Sequence, residues 1–179
     1  EKAIKVFDWL IFDVYQWEQE MFDGSYKTFE KLKRNDTIDI LVVTPDEKIL
    51  ILEEEQPWRE PFIWLVWWTC EDWEDPIYTA KRELLEETGL ISNDIKLYKS
   101  YSISSKIDHK SHFYIARNLK QIWIQNLDVW EKIKIKYVTW EEFLDIISDD
   151  KFRVKEVALE ILKQIHLWKE NEFKKMIFW

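Results

Sequence analysis

Apolar positions along the first two thirds of the chain recur in short runs and loose alternations, which is the spacing of β-strands. Residues 37–44 (TIDILVVT) are apolar and β-branched, which predicts a buried strand. The turn-forming residues 45–47 follow, and residues 48–52 predict a second strand. Residues 62–67 form a further short apolar run. Together these segments predict a sheet whose centre is buried.

The N-terminal residues 4–33 also have a strand pattern, interrupted by one strong turn signal. Residues 11–17 alternate loosely, residues 22–25 (FDGS) have turn composition, and a second strand follows them. We therefore predict a β-hairpin within a small N-terminal unit, residues 1–34. The main domain is then expected to be residues 35–179.

Residues 75–90 carry the start and stop signals of a helix. Asp75 is a suitable N-cap, Pro76 stands at the first helical position, and Gly89 suits the C-terminal cap. The sequence therefore predicts a helix within residues 75–90 that Gly89 terminates.

Two more helices and three more strands are expected in the second half of the chain. Thr139 opens a capping box, which predicts a helix to residue 147. Residues 153–174 have apolar positions at helical spacing and predict one longer amphipathic helix. The further strands are predicted near residues 95–103, 111–116 and 132–138. Strands interleaved with a few helices predict an α/β (α+β) fold.

Composition and charge exclude several classes of protein. The chain has 179 residues with 46% hydrophobic and 34% charged positions, which is typical of a globular domain. Its net charge of −9 argues against a general nucleic-acid binder, which needs a basic surface. No apolar run is long enough for a membrane helix, and residues 1–5 do not resemble a signal peptide. The single Cys70 favours a reducing compartment, so we expect a cytoplasmic protein without membrane or nucleic-acid partners.

Three glutamates of the predicted helix fall on one face. Glu83, Glu86 and Glu87 are spaced i, i+3 and i+4, so they lie within about 100° of each other around the helix axis. Such a face is either a solvated charged surface or a site for a hard cation such as Mg²⁺, which prefers oxygen ligands. Helix geometry alone does not choose between the two.

Residues 68–90 resemble the Nudix box. That pattern is a glycine, five residues, Glu, seven residues, Arg-Glu, an aliphatic residue, any residue, Glu-Glu, any residue, glycine and an aliphatic residue. The positions that match are Glu74, Arg82, Glu83, Leu84, Glu86, Glu87, Gly89 and Leu90. Only the first position departs from the pattern, with Trp68 in place of glycine.

This resemblance implies a Nudix-type α/β/α sandwich with a mixed sheet, and a hydrolase that depends on Mg²⁺ or Mn²⁺. By the motif match, Glu83, Glu86 and Glu87 are the expected metal ligands, and the backbone carbonyl of Trp68 is a further one. Arg82 is expected to orient the glutamates. Glu74 shares this orienting role.

The resemblance extends beyond the box to the ADP-ribose pyrophosphatases. Residues 54–59 (EEQPWR) resemble a strand end of that group, which makes Arg59 a candidate for binding the substrate. Residues 127–133 resemble its later acidic loop, so Glu131 joins Glu87 as a candidate catalytic residue. The segment 4–33 resembles its N-terminal dimerisation element, which implies a homodimer.

His109 and His112 match no motif. We interpret both as ordinary surface histidines.

The chain has only 2 glycines but 12 tryptophans, and the two anomalies meet at the box. Tryptophan stands where relatives have glycine at positions 58, 67, 68, 73 and 130. Three interpretations remain open: a degenerate site, an indole platform for a base, or UGA codons that the organism reads as glycine. Under the last one, Trp17 and Trp140 are genuine tryptophans, whereas Trp58, Trp64, Trp67, Trp68, Trp73 and Trp130 are glycines in the cell.

The expected function is hydrolysis of a nucleoside diphosphate linked to another moiety, with ADP-ribose or an ADP-sugar as the substrate. One alternative is a Nudix hydrolase of another small nucleotide, such as a nucleoside triphosphate or a dinucleoside polyphosphate. The other is a Nudix-like binding module that has lost catalysis. Intact Glu83, Glu86 and Glu87 favour an enzyme, whereas Trp68 favours the inactive module.

Overall fold

A computed structural model describes residues 3–179, so residues 1 and 2 of the predicted unit 1–34 lie outside the described residues. The strands are β1 (Ile4–Asp8), β2 (Asp13–Glu20), β3 (Tyr26–Lys33), β4 (Thr37–Val43), β5 (Ile49–Gln56), β6 (Arg59–Trp64), β7 (Val66–Thr69), β8 (Leu90–Ser102), β9 (Ile107–Asp108), β10 (Lys110–Gln121) and β11 (Lys132–Val138). The helices are α1 (Pro76–Thr88), α2 (Trp140–Ser148), α3 (Lys155–His166) and α4 (Glu170–Phe178).

A mixed seven-stranded sheet forms the centre of the molecule. Its main strand order is β11-β5-β4-β10-β8, with β6 paired to β5 and β7 paired to β4. The β4 and β10 strands run parallel, and the other pairs are antiparallel. Alternate side chains of β4 point to opposite faces of the sheet, where they enter two separate cores.

Helices cover both faces of this sheet. Ala80 and Leu84 of α1 pack with Ile38 and Ile40 on one face. Residues of α2, α3 and α4 pack against Leu41 and its neighbours on the other face. The predicted α/β/α sandwich with a mixed sheet is therefore confirmed.

The caps of α1 and α2 form as their residues predict. The Asp75 side chain accepts a hydrogen bond from the backbone amide of Ile77, and Gly89 ends α1 with φ 71°. A Cβ at Gly89 would overlap the carbonyl oxygen of Trp123, so no other residue fits there without a shift of the chain. Thr139 and Glu142 form the reciprocal bonds of a capping box.

The N-terminal region is more extensive than the predicted hairpin. The strands β1, β2 and β3 form an antiparallel meander, and β9 adds a parallel pairing with β3, so the sheet has four strands. The turn at residues 22–25 is present, with Gly24 at φ 80°. The division into units 1–34 and 35–179 stays a prediction.

The single long helix expected at residues 153–174 is wrong. Helix α3 ends at His166 and α4 begins at Glu170. Between them Trp168 has φ 60°, and the amide of Lys169 donates to the carbonyl of Gln164. This is the bonding of a Schellman motif, which ends a helix through one left-handed residue.

The interpretation of His109 as a surface residue is also wrong. His109 is buried, and its Nε2 lies 3.1 Å from the hydroxyl of Thr37. His112 is half-buried between Asp36 and Ser100, with its ring nitrogens 3.0 and 2.8 Å from their oxygens. Both rings therefore take part in polar contacts between elements.

Candidate functional site

The three glutamates of α1 lie at the edge of the helix face that packs on the sheet. Ala80 and Leu84 are buried at the centre of this face. Glu83 and Glu87 flank them and are only 3% and 6% exposed, whereas the Glu86 side chain is 39% exposed. The helix therefore holds two carboxylates out of water and one partly in it.

Arg82 connects these glutamates to the segment before the helix. Its Nη1 donates to Glu83 Oε1 and, over 3.1 Å, to Glu86 Oε2. Its Nη2 and Nε donate to the two oxygens of Glu74, at 3.1 and 3.4 Å. The guanidinium lowers the pKa of Glu74, whose Oε2 also accepts a hydrogen bond from Thr79. Arg82 is thus placed where it can fix the orientation of its neighbours.

Burial disfavours the charged forms of Glu83 and Glu87, because Arg82 alone does not compensate both carboxylates. Burial raises the pKa of Glu83 to about 8. Burial, together with the charges of Glu83, Glu131 and Glu54, raises the pKa of Glu87 well above its usual range. Buried carboxylates in this situation either bind protons or bind a cation.

A divalent cation fits these residues. The Oε2 atom of Glu87 is buried and has no hydrogen-bond partner. Across residues 3–179, no three acidic, histidine or cysteine side chains are arranged as a preformed set of metal ligands. Glu83 and Glu86 instead form ion pairs with Arg82, which hold both carboxylates at the guanidinium.

The strands β5 and β6 contribute the opposite wall of the site. A cavity of about 100 Å³ lies between them and α1, and its polar lining is Glu54, Gln56, Arg59, Glu87 and Glu131. The structure thus places Arg59, Glu131 and Glu87 around one cavity, and the roles given to them from the sequence stay predictions. The guanidinium of Arg59 also lies 4.9 Å from the centre of the Phe62 ring.

No motif in the sequence gives Glu54 a site role, whereas Gln56 belongs to the segment 54–59 that resembles the strand end of the ADP-ribose pyrophosphatases. Residues 53–55 are three consecutive glutamates, which resemble a solvated strand end. The signal that could have found Glu54 is the period of the strand, because Leu50 and Leu52 are buried on the same face.

Three tryptophans fill the remaining wall of the cavity. Trp64 and Trp67 stack with their rings 5.0 Å apart, and Trp68 meets Trp67 edge-on. The indole nitrogen of Trp64 is buried without a partner. Trp58 and Trp73 are exposed in the flanking loops. The side chains at positions 64, 67 and 68 therefore determine the size of this cavity.

Family comparison agrees with the geometry. The model of the NUDIX domain matches residues 33–162, which include the whole of the central sheet and α1.

The chain belongs to the Nudix family.

It is accordingly a Nudix hydrolase. Glu83, Glu86 and Glu87 lie on the helix of its Nudix box, and Trp68 occupies the first box position in β7.

Two curated relatives cover most of the chain. An ADP-ribose pyrophosphatase of Bacillus subtilis (strain 168) is 27% identical over 154 residues, which is 83% of each chain. A methanol dehydrogenase activator of Bacillus methanolicus is 26% identical over 157 residues, covering 84% of this chain and 85% of the relative.

A solved structure supports the fold. The crystal structure of an ADP compounds hydrolase superimposes with a TM-score of 0.73 over 97% of this chain and 94% of that one. The two sequences are 18% identical, so this likeness concerns the fold alone. No helix within the described residues is both long enough and apolar enough to cross a membrane.

Proposed function

We propose that this Nudix hydrolase is a Mg²⁺- or Mn²⁺-dependent pyrophosphohydrolase. Its expected substrate is a nucleoside diphosphate linked to another moiety, with ADP-ribose or an ADP-sugar preferred. The observation that carries the proposal is the buried, unpartnered Glu87 Oε2 on the box helix. A carboxylate oxygen in this position lacks the partner that a cation would supply.

The cation is bound by side chains of the box helix and by one backbone carbonyl. Glu83, Glu86 and Glu87 hold the cation, with the backbone carbonyl of Trp68 as a further ligand. A bound divalent cation supplies charge stabilisation to the pyrophosphate oxygens and lowers the pKa of a bound water.

The hydrolysis needs a proton acceptor and a group that binds the substrate. Water adds to one phosphorus atom, the bridging P–O bond breaks, and the proton of the water passes to a carboxylate. Glu131 or Glu87 accepts this proton, because both side chains line the cavity. Arg59 in the same cavity binds a substrate phosphate.

The choice of substrate has two supports. One curated relative is named as an ADP-ribose pyrophosphatase. The structure also has a groove of about 620 Å³ next to the site, which shares Glu54 and Glu131 with the smaller cavity. A volume of this size is typical of pockets for small ligands, so the groove can accept the part of the substrate beyond the pyrophosphate.

The experiment that tests the function compares single amide variants. Glu86→Gln and Glu87→Gln are each expected to lower kcat for ADP-ribose by at least ~100-fold, which is the scale reported when one group that stabilises charge is removed. Their thermal midpoints should change little, because these carboxylates hold charge rather than pack the core. AMP release in saturating Mg²⁺ is the assay, in the protein that has glycine at positions 58, 64, 67, 68, 73 and 130.

Glu71→Gln is the matched control, since Glu71 is exposed in the loop before α1. It should retain the parental turnover. Near-parental kcat in both Glu86→Gln and Glu87→Gln would contradict the site. Absence of turnover in the parent with ADP-ribose and with nucleoside triphosphates and dinucleoside polyphosphates would favour the inactive binding module.

We also propose a cytoplasmic homodimer that associates through the N-terminal sheet. Every residue of β1 is exposed, so this strand does not bury its apolar side chains against its own domain. Phe7, Trp9, Leu10 and Ile11 form an exposed apolar group there. A second copy of the chain is the simplest surface that could cover them.

A further inference from the structure

Glu54 is a buried carboxylate near the end of β5. In β5, Leu50 and Leu52 enter the core beneath α1, and strand alternation directs Glu54 to that same side. Its exposed fraction is 8%, whereas the next residue, Glu55, is exposed on the opposite side. Glu54 is therefore directed at the site and not at solvent.

Three carboxylates line the small cavity between β5 and α1, although within residues 3–179 no three such side chains form a preformed set of metal ligands. Glu54, Glu87 and Glu131 all line its volume of about 100 Å³. Among the described residues that line this cavity, Arg59 is the only one with a cationic side chain. Three acids facing one arginine leave an excess of negative charge, which a buried site tolerates only with protons or a cation.

The available hydrogen bonds do not resolve this excess. The amide of Gln56 donates to Oε1 of Glu54. The Oε2 atom of Glu131 accepts a hydrogen bond of 3.3 Å from the backbone amide of Asp128. Glu87 is 6% exposed, and its Oε2 has no partner at all. A buried carboxylate oxygen without a partner, on the wall of a cavity lined by two further carboxylates, is the type of ligand that a hard cation prefers.

We propose that Glu54 holds a divalent cation jointly with Glu87 and Glu131, which extends the metal-binding surface from α1 across to β5. This inference rests on the proposed function, because it adds a ligand on the strand side to a site whose other ligands are on the box helix. Gln56 is then a positioning residue, since its amide restricts the Glu54 carboxylate to one orientation.

Mn²⁺ alone is the probe, because binding is then measured without substrate or turnover. Free Mn²⁺ is followed by electron paramagnetic resonance, and the binding curve is repeated by calorimetry. Glu54→Gln is expected to weaken at least one Mn²⁺ site by about 10- to 100-fold, the range typical when a group supporting a metal site is lost. Glu55→Gln, on the opposite face of the same strand, should bind as the parent does.

A stability measurement gives a second readout that a merely structural role would not produce. Without metal, Glu54→Gln removes one of three crowded carboxylates, so its thermal midpoint should be equal to or above that of the parent. Added Mn²⁺ should raise the midpoint of the parent more than that of Glu54→Gln. If Glu54 had only a structural role, Mn²⁺ would raise the thermal midpoint of Glu54→Gln as much as that of the parent.

Each variant is made in the chain with its tryptophans and in the form with glycine at the six positions. Parental Mn²⁺ binding by Glu54→Gln, combined with loss of binding in Glu87→Gln, overturns this inference and leaves the proposed function standing. Absence of Mn²⁺ binding in both parents overturns the two together. If Glu54→Gln does not fold, Glu54→Asp decides: it keeps the charge but withdraws the oxygens by one methylene, so weaker binding supports the inference and parental binding contradicts it.

Discussion

At the residue scale, the tryptophans of this chain fall into different environments. Trp140 is buried among phenylalanine rings, and its indole nitrogen donates to Glu170 over 2.8 Å. Trp17 likewise has a partner for its N–H group, Gln19. Trp64 has none, and Trp168 is exposed with a left-handed backbone. The first two positions suit tryptophan, whereas the last two do not.

Trp168 extends the glycine interpretation to a position that the sequence analysis did not include. A residue at the left-handed position of a Schellman motif is most often glycine, because a Cβ is strained there. The six positions named from the sequence behave differently, since none of them has a positive φ among the described residues. Their indoles occupy space rather than strain the backbone.

We therefore predict that Trp168→Gly stabilises the protein by about 1 kcal/mol, the lower end of the strain expected for a non-glycine residue in this region. For a chain of this size that corresponds to a rise in thermal midpoint of roughly 2–4 °C. Calorimetry or thermal denaturation measures the change.

Trp168→Ala is the matched control, because it removes the exposed indole but keeps the Cβ. Alanine should give little or none of the gain. An equal gain from alanine and glycine would assign the effect to the indole and contradict the strain argument.

The same scale shows where local sequence signals are sufficient. Asp75, Pro76 and Gly89 specify the ends of α1 through bonds within a few residues, and the structure has these ends as predicted. The burial of Glu54 follows from the period of β5, but its place in one cavity with Glu87 and Glu131 depends on how distant elements pack. A local sequence pattern does not contain that packing.

At the scale of elements, Asp39 is an ionisable group buried in the centre of the sheet. It lies on β4, on the face that packs against α2–α4 and away from the candidate site. Its Oδ2 accepts a hydrogen bond of 2.6 Å from the hydroxyl of Ser111 on β10. Burial, and less strongly the charge of Glu156, raises its pKa to about 7.

This shift predicts that Asp39 makes the protein less stable as pH rises. The folded state keeps a proton that the unfolded state releases near its ordinary pKa, so the stabilisation is complete below about pH 4 and is lost as pH rises through about 7. Asp39→Asn should therefore stabilise the protein at pH 8 by about 1–4 kcal/mol and flatten the dependence between pH 5 and 8. The asparagine carbonyl can still accept the bond from Ser111.

Urea denaturation at several pH values measures this dependence. Asp145→Asn, at an exposed position of α2, is the control and should follow the parental curve. A parental slope in Asp39→Asn would mean that Asp39 does not carry the pH dependence.

Two errors in the predicted elements have a shared cause. The break between α3 and α4 carries no glycine or proline, so the apolar spacing alone continued the helix through Trp168. The pairing of β9 with β3 joins residues more than 70 positions apart, such as Leu32 and Ile107, and a local pattern does not contain it. Periodicity predicts elements, but it does not predict which distant strands meet.

At the scale of the whole molecule, the exposed apolar group of the N-terminal sheet predicts a dimer. Light scattering at micromolar concentration should give twice the chain mass of 22.2 kDa. Leu10→Asp combined with Ile11→Asp should give one chain mass, because two charges would have to be buried in the interface. Leu159→Asp, exposed on α3, is the control and should stay dimeric. A monomeric parent would refute the prediction.

The general architecture was predictable because the Nudix box, the apolar strands and the helix caps agree with one another. The family match and the layered sheet confirm this agreement. The size of the cavity between α1 and β5 was less predictable, because it depends on how Trp64, Trp67 and Trp68 pack together. The sequence therefore predicts the elements of the fold but not the volume of the cavity that the tryptophans line.

Tryptophan at the six positions named from the sequence is expected to impair both folding and catalysis. The cavity of about 100 Å³ is well below the roughly 300–1,000 Å³ typical of ligand pockets. Glycine at positions 58, 64, 67, 68, 73 and 130 should open this cavity and remove the buried, unpartnered N–H of Trp64, which costs about 1–3 kcal/mol. That form should fold and release AMP from ADP-ribose with Mg²⁺, whereas the chain with tryptophans should fold poorly or be almost inactive.

Thermal midpoints and AMP release are measured on both forms in parallel. Trp140→Gly, made in the glycine form, is the control: it empties a packed core position and should destabilise the protein by about 3–5 kcal/mol. Higher stability with glycine at the six positions, together with lower stability of Trp140→Gly, would show that glycine stabilises the protein only at the six positions. Equal stability and equal activity of the two parent forms would refute the glycine interpretation and would mean that the indoles serve the native site.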